Sequence, residues 1–396
     1  MRQIGVIGGG ILGLAVAHRI SEIVPDVAIT VVEKEDELAT HQTGHSSGVV
    51  HAGIYYQPGS LKAAMCTQGS ALLRRFCFEH DIPVEEVGKF VVATDKMESK
   101  RLDDIEARAR ANGVPGLRRL NKNELAEIEP EVVGDSALHS PHTAIVDFQR
   151  VARALGNVLE RSGHTILTGQ RVDRLRKRAR DIDLITSRES FRFDHVIICA
   201  GLGTNNIMRI LDDNHPSRIL PVRGEYYRLN ESVRHLVRGL VYPVPDPRYP
   251  FLGVHFTRRI DGEVFIGPNA VFATALEGYR RRDLNVKDLA DFLAWPGTWR
   301  LARKNVRTGI YELAGSLSRR VFVDRARRYV PRLEVHDVTS APAGVRAQAV
   351  DRHGDLIDDF IVCQTNVTTC VRNAPSPGAT SSMAFARHIV DSLPAL

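Results

Sequence analysis

The first 33 residues constrain the fold of this chain more than any other stretch. Residues 4–7 read as a short buried strand that runs straight into Gly8-Gly9-Gly10-Ile11-Leu12-Gly13, a G-x-G-x-x-G pattern. Residues 11–20 follow with apolar side chains at helical spacing, and a second apolar strand, 27–32, ends at Glu33. Each part has a physical task in a strand–turn–helix–strand unit. Gly8 permits the tight turn, Gly10 puts no Cβ between the backbone and an approaching pyrophosphate, and Gly13 lets the helix sit close on the sheet. The free N–H groups and the positive dipole end of the helix then face the phosphates. Glu33 stands where an acid accepts hydrogen bonds from ribose hydroxyls, and an acid there disfavours a 2′-phosphate. The glycine pattern alone is weak evidence. The complete unit predicts a bound dinucleotide, FAD or NAD rather than NADP.

Three later segments point to FAD. Residues 41–56, HQTGHSSGVVHAGIYY, follow the ribose-binding strand directly and are small, polar and glycine-rich. Such a segment can lie along an extended dinucleotide, with Thr43, Gly44, Ser46 and Ser47 supplying N–H groups and hydroxyls. A long uncharged loop with no task of its own is uncommon. Residues 195–200 form an apolar strand ending at Gly201, like the second nucleotide-contact strand of flavoproteins. Near the C-terminus, Asn373-Ala374-Pro375-Ser376-Pro377-Gly378-Ala379-Thr380 precedes an apolar helix, 383–390. A helix N-terminus there would stabilise negative charge at the edge of a reduced flavin ring.

A chain of 396 residues exceeds what one core usually supports, about 250–300, so two substructures are expected. The net charge of +6 favours an anionic partner without naming it. Five cysteines with no C-x-x-C spacing argue against a disulfide framework, a zinc knuckle or a disulfide reductase. The expectation is buried thiols in a reducing cytoplasm and no metal. With the first strand so near the start of the sequence, no removable leader is expected, and no apolar run reaches the ~20 residues of a membrane span.

The motif set resembles the D-amino-acid-oxidase-like flavoproteins and, within them, the L-2-hydroxyglutarate oxidase/dehydrogenase family. The resemblance runs over nearly the whole chain. It rests on GGGILGLA, HQTGHSSGVVHAGIYYQPGSLKA (41–63), PVRGEYYRL (221–229), YPVPDPRYPFLGVHFTRRIDG (242–262), IGPNA (266–270), PAGVRAQAV (342–350), LIDDF (356–360) and RNAPSPGATSS (372–382). Cys370 departs from the pattern, standing where a histidine is expected. The fold implied is α/β: a Rossmann-like FAD-binding domain interleaved with an antiparallel-sheet α+β substrate domain. The FAD-binding parts are expected at 1–83, 147–215 and 325–396, and the substrate-domain parts at 84–146 and 216–324. The cofactor implied is noncovalent FAD, held by Gly8, Gly10, Ile11, Leu12, Gly13, Glu33, Lys34, Thr43, Gly44, Ser46, Ser47, Val49, Val172, Ala200, Gly201, Gly344, Ser376, Pro377, Gly378 and Ala379.

The reaction implied is oxidation of L-2-hydroxyglutarate, a small dicarboxylate 2-hydroxy acid, to 2-oxoglutarate, with electrons passing to oxygen or a membrane quinone. That chemistry needs the carboxylate clamped so that the C2–H bond points at the flavin, a base for the hydroxyl proton, and stabilisation of the arriving charge. Arg346, in GVRAQ, resembles the arginine with which the superfamily holds a substrate carboxylate; a guanidinium forks onto a carboxylate through two hydrogen bonds. Arg223 and Arg258 are candidates for the second carboxylate, with Tyr242 and Tyr227 as hydroxyl donors and Asn373 as an orienting group. His51 and His255 are the alternative bases. Asp358 and Asp359 are expected to fix local structure, since an anion beside a dianion opposes binding. An amino-acid or amine oxidase of the same superfamily is the alternative; two arginines framing the pocket argue against it. A nucleic-acid partner is not expected, for the basic residues carry no stacking platform.

Residues 295–332 hold ten Lys/Arg against two acids, with Trp295, Trp299, Leu301, Ile310, Leu313 and Phe322 among them. Basic residues interleaved with tryptophan suit a membrane interface; the alternative is a solvated basic helical face. The location expected is the cytoplasm, with peripheral contact at the cytoplasmic face of the inner membrane.

Overall fold

The computed structural model describes residues 1–211, 215–247 and 252–393. Residues 248–251, inside the 242–262 motif, lie outside the described residues. Strand Arg2–Ile7 (β1), helix Ile11–Ile23 (α1) and strand Val27–Val32 (β2) form the anticipated unit. β1 lies between β2 and strand His195–Ile198, parallel to both. The sheet continues through Thr165–Leu167 on the β2 side, and through Thr368–Asn373 and Ile361–Gln364 on the other. Ile4, Val6, Leu14, Val16, Ala17 and Ile20 are fully buried where α1 packs on this sheet. Gly8 turns at φ +109°, and a Cβ on Gly13 would come within 2.1 Å of the Gly8 carbonyl oxygen. The two glycines thus permit the close strand–helix approach that the sequence predicts.

Helix Leu61–Glu79 (α2), which the sequence pattern does not disclose, packs against helix Gly378–Asp391, which in turn packs on α1. Gly69 makes the first contact possible, because a Cβ there would sit 2.5 Å from the Thr380 carbonyl oxygen.

A second, larger sheet joins strands from distant parts of the chain. Its order is Val271–Phe272, Ser217–Leu229, Val264–Gly267, His255–Arg258, Leu240–Pro243, Lys89–Ala93, Ser136–Ser140 and Arg118–Asn121. All pairs are antiparallel except Leu240–Pro243 with Lys89–Ala93. Strand Val338–Asp351 pairs along almost the whole length of Ser217–Leu229. It therefore belongs to this sheet, although it falls in the 325–396 segment expected on the dinucleotide side.

Alternation along these strands sorts their side chains. Phe90, Val92, Val241 and Phe256 share one face and join Phe322 and Val323 in a buried apolar cluster. Lys89, Tyr242 and His255 fall on the opposite face. The fold is the mixed α/β arrangement expected, with one mainly parallel and one mainly antiparallel sheet.

Candidate active site

A cleft of about 1110 Å³ opens where the parallel sheet, the 39–51 segment, strand Val338–Asp351 and residues 371–380 meet. That is at the upper end of ligand-site volumes and has room for a dinucleotide with a small acid. One end is walled by Gly8, Gly10, Ile11, Leu12, Gly13, Glu33 and Lys34. A Cβ on Gly10 would meet only the Thr43 hydroxyl, at 3.4 Å, so the backbone here is open to a ligand. α1 has no side-chain cap and no acid in its first turn. The Ile11 N–H donates to Thr43 Oγ1 (3.1 Å), which ties the 41–56 segment to the helix start. Glu33 accepts the Gly9 N–H (2.7 Å) on one carboxylate oxygen and the Glu35 N–H (2.9 Å) on the other, leaving lone pairs on each. Lys34 is already paired with Glu35 and Glu277 at the cleft edge. The uncapped helix, the missing Cβ and the acid at the end of β2 together fit an adenine dinucleotide.

Ser46, Ser47, Val49, Val172, Ala200, Gly201, Gly344, Ser376, Pro377, Gly378 and Ala379 also line the cleft. Gly44 does not: its N–H donates to the Ala39 carbonyl, and an added Cβ would strike that same oxygen at 2.6 Å. Gly44 is a turn residue and not a cofactor contact. Helix Gly378–Asp391 begins at the cleft without a side-chain cap or an early acid, which suits negative charge at that end. Thr380 Oγ1 accepts the His51 N–H (3.1 Å) and donates to the Val49 carbonyl (3.3 Å), so this helix start also fixes the backbone of strand Val49–Val50 (β3) and His51. Cys370 is buried in an apolar cluster with Ile7, Val196 and Ile198; it is a core residue, not a ligand contact.

At the other end, His51 and Arg346 line the cleft. Burial pushes the His51 imidazole down to about 3, and the positive surroundings of Lys89, His255, Arg346 and Lys62 add to the shift. Burial likewise takes His255 down to about 3, opposed by its hydrogen bond to the Gly253 carbonyl and reinforced by Lys89 and Arg346. A carbonyl only accepts, so His255 Nδ1 (2.9 Å from Gly253 O) carries the hydrogen and Nε2 the lone pair. The His255 ring packs on Tyr242, with centroids 4.0 Å apart. Five basic groups thus gather here. Among the described residues only Lys62 is matched by a carboxylate, Asp358 at 2.5 Å. Asp359 Oδ1 accepts its neighbour's N–H, consistent with a structural part for both acids.

Several expected substrate contacts fall elsewhere, for one reason: strand alternation. Arg346 sits opposite Val222, and Arg223 opposite Val345, so Arg223 points to the other face of the sheet from Arg346. There Arg223 donates to the Arg280 carbonyl (3.1 Å) and pairs with Glu225 (3.3 Å). Tyr227 shares that face and packs on Phe322 in the apolar core. Their neighbours Gly224 and Tyr226 line the cleft instead. Arg258, three residues from His255, lies on the opposite face of its strand and pairs with Glu85 (3.3 Å). Asn373 does line the cleft, but its amide donates to the carbonyls of Ile357 (3.0 Å) and Asp359 (2.8 Å), bracing the 357–359 loop. Its buried Oδ1 has no partner among the described residues.

Four residues at the site went unread in the sequence. Lys62 and Lys89 are the two buried lysines among the described residues. Gln42 Oε1 accepts the Ala347 N–H (3.0 Å) beside Arg346. His45 donates to the Ala343 carbonyl (2.8 Å) and stacks on Tyr279. For Lys89 a signal was present: one lysine opening an otherwise apolar five-residue strand.

Residues 3–392 match the family described as FAD dependent oxidoreductase. A mitochondrial L-2-hydroxyglutarate dehydrogenase of Nematostella vectensis is 42% identical over 98% of this chain and 90% of its own length. L-2-hydroxyglutarate dehydrogenase of Indibacter alkaliphilus is 42% identical over 97% and 96%. Among solved structures, FAD-bound L-alpha-glycerophosphate oxidase of Mycoplasma pneumoniae superposes with a TM-score of 0.80 at 21% identity, covering 98% of this chain and 94% of its own.

The depressed histidines make a stability prediction. An unfolded chain takes up protons at both imidazoles below about pH 6.5, whereas the folded site refuses them until about 3. Stability therefore falls as pH drops through that window, by up to about 1.4 kcal/mol per pH unit for each histidine. His255→Gln should flatten the decline by about one such increment between pH 6 and 4.5 in urea unfolding of FAD-loaded protein. An unchanged slope would contradict the burial of a neutral imidazole at 255.

Proposed function

Because the chain belongs to the FAD-dependent oxidoreductase family and, within it, to the L-2-hydroxyglutarate dehydrogenases, we propose that it oxidises L-2-hydroxyglutarate to 2-oxoglutarate. The observation that carries this reading is the basic character of one end of a dinucleotide-sized cleft: His51 and Arg346 line it, Lys89, Lys62 and His255 lie within electrostatic range of His51, and among the described residues Asp358 is the one carboxylate paired with any of them. Bound FAD supplies the hydride acceptor. Every other requirement falls to the chain. Arg346 takes the carboxylate next to the reacting carbon, and its planar fork sets the orientation of the C2–H bond. The hydroxyl proton goes to an imidazole. We assign that part to His51, which lines the cleft, with His255 behind it as the alternative. Both are neutral at neutral pH and have a lone pair to offer, and the charge of a bound dianion raises their affinity for the proton. The uncapped start of helix Gly378–Asp391, which lines the cleft, would stabilise negative charge on a flavin held there.

We assign the electrons to a membrane quinone. No described helix is long and apolar enough to cross a membrane. On helices Pro296–Lys304 and Val306–Leu317, however, Trp299 (60% exposed), Ile310 (65%), Leu313 and Leu317 (70%) stand outside the core beside Arg300, Arg303, Lys304 and Arg307. Trp295, Leu301 and Phe322 of the same stretch are buried and take no part. Exposed apolar side chains among cations fit an anionic lipid surface, to which each basic residue adds about 1 kcal/mol.

Two measurements test these assignments. Under anaerobic conditions L-2-hydroxyglutarate should bleach the flavin of the holoenzyme within a turnover, and the D enantiomer, glycine and sarcosine should not; bleaching by the amino acids alone would make the protein an amine oxidase. In low salt the holoenzyme should sediment with vesicles containing phosphatidylglycerol and be released by high salt, and Trp299→Ser with Ile310→Ser should weaken the attachment. Full recovery in the supernatant with such vesicles would remove the membrane assignment.

A further inference from the structure

Lys89 has no part in the reaction as derived, yet it is the most unusual charge in the molecule. It is 2% exposed and opens a strand, Lys89–Ala93, in which every residue is buried. Its ammonium lies 3.7 Å from the centroid of the Tyr242 ring and 4.6 Å from that of Tyr55. No carboxylate pairs with it among the described residues; the one titratable group that favours its charge is the thiol of Cys66. Lys62, also buried, shows the ordinary solution, an ion pair with Asp358. Two aromatic faces offset only part of the cost of desolvating an ammonium. A second buried group nearby is also unmatched: the Tyr55 hydroxyl has no hydrogen-bond partner among the described residues. Among the described residues, a buried cation with no carboxylate partner and a buried hydroxyl with no hydrogen-bond partner thus stand around the same ring contact, a combination suited to an anion.

The surroundings say which anion. The Tyr242 ring that carries Lys89 on its face also packs on His255, and both Lys89 and Arg346 bear electrostatically on His51 and His255. The two imidazoles therefore lie within the influence of both cations. We propose that Lys89 binds the far carboxylate of the diacid while Arg346 binds the near one, so that the substrate spans the two cations past the imidazoles. Lys89 would then set the preference for a five-carbon diacid over a monocarboxylic 2-hydroxy acid, the part that sequence reading gave to Arg223 and Arg258. This assignment rests on the hydroxy-diacid reading of the site.

The test uses FAD-loaded wild type, Lys89→Met and Lys89→Gln, with L-2-hydroxyglutarate and its 5-methyl ester, which lacks the far charge. Loss of a hydrogen-bonded buried charge partner predicts a KM for the diacid raised roughly 10- to 100-fold in both variants, with a much smaller change in kcat and in the KM for the ester. The wild-type preference for diacid over ester should collapse by the same factor. An unchanged diacid KM, or equal losses on diacid and ester, would overturn the assignment. So would failure of both variants to retain FAD, since Lys89 would then be a structural group. A wild type inert toward the diacid defeats the hydroxy-diacid reading itself, and this assignment with it. An active wild type with unaffected variants defeats only the part given to Lys89.

Discussion

Basic groups drawn to one end of a cleft, two of them buried lysines, govern this molecule. Lys89, Lys62, Arg346 and the neutral imidazoles of His51 and His255 lie within electrostatic reach of one another, and among the described residues one carboxylate, Asp358, pairs with them. Burial alone explains the direction of each shift: the imidazoles stay neutral and Lys89 is drawn down to about 7. A chain selected for stability alone would place leucine or methionine at such positions. The arrangement becomes favourable when an anion with two charges enters, and that is the chemistry the family relationship implies.

The architecture serves this convergence. The parallel sheet and α1 build a backbone cradle at one end of the cleft, where Gly8, Gly10 and Gly13 keep side chains out of the way. The antiparallel sheet brings strands from residues 89–93, 240–243 and 255–258 side by side, with one face closed by a core around Phe90, Phe256 and Phe322. Their other face presents Lys89, Tyr242 and His255. Strand Val338–Asp351 belongs to this second sheet and yet carries Arg346 and Gly344 to the cleft wall, so one strand ties the antiparallel sheet to the cleft.

Much of this was legible in the sequence. The β1–α1–β2 unit and its acid at position 33 follow from local rules: glycines where a Cβ cannot fit, apolar spacing, and a strand end. The motif resemblance led to Arg346 and His51, and both line the cleft. Arg223, Tyr227 and Arg258 were not, because their positions depend on which face each strand turns inward, and for Arg223 and Tyr227 that is fixed by pairing between segments more than a hundred residues apart, as in Val222 opposite Arg346. One step along the strand separates Arg223 from Gly224, and one faces away from the cleft while the other lines it. Lys89 was missed because a lone lysine beside apolar residues normally reads as an edge position in water. Gly44 was misplaced because a glycine needed for a turn and a glycine needed for ligand approach look alike in one dimension.

The guanidinium at position 346 is the group on which the reading of the site turns. Titration of FAD-loaded protein with 2-oxoglutarate, read by the change in flavin absorbance, measures its hold on the acid without turnover. Arg346→Met should retain FAD and bind 2-oxoglutarate roughly 100-fold more weakly, the loss expected for a bidentate charge-assisted contact. Equal affinity in wild type and variant would show that the acid is held elsewhere and that the cationic end of the cleft is not the substrate site.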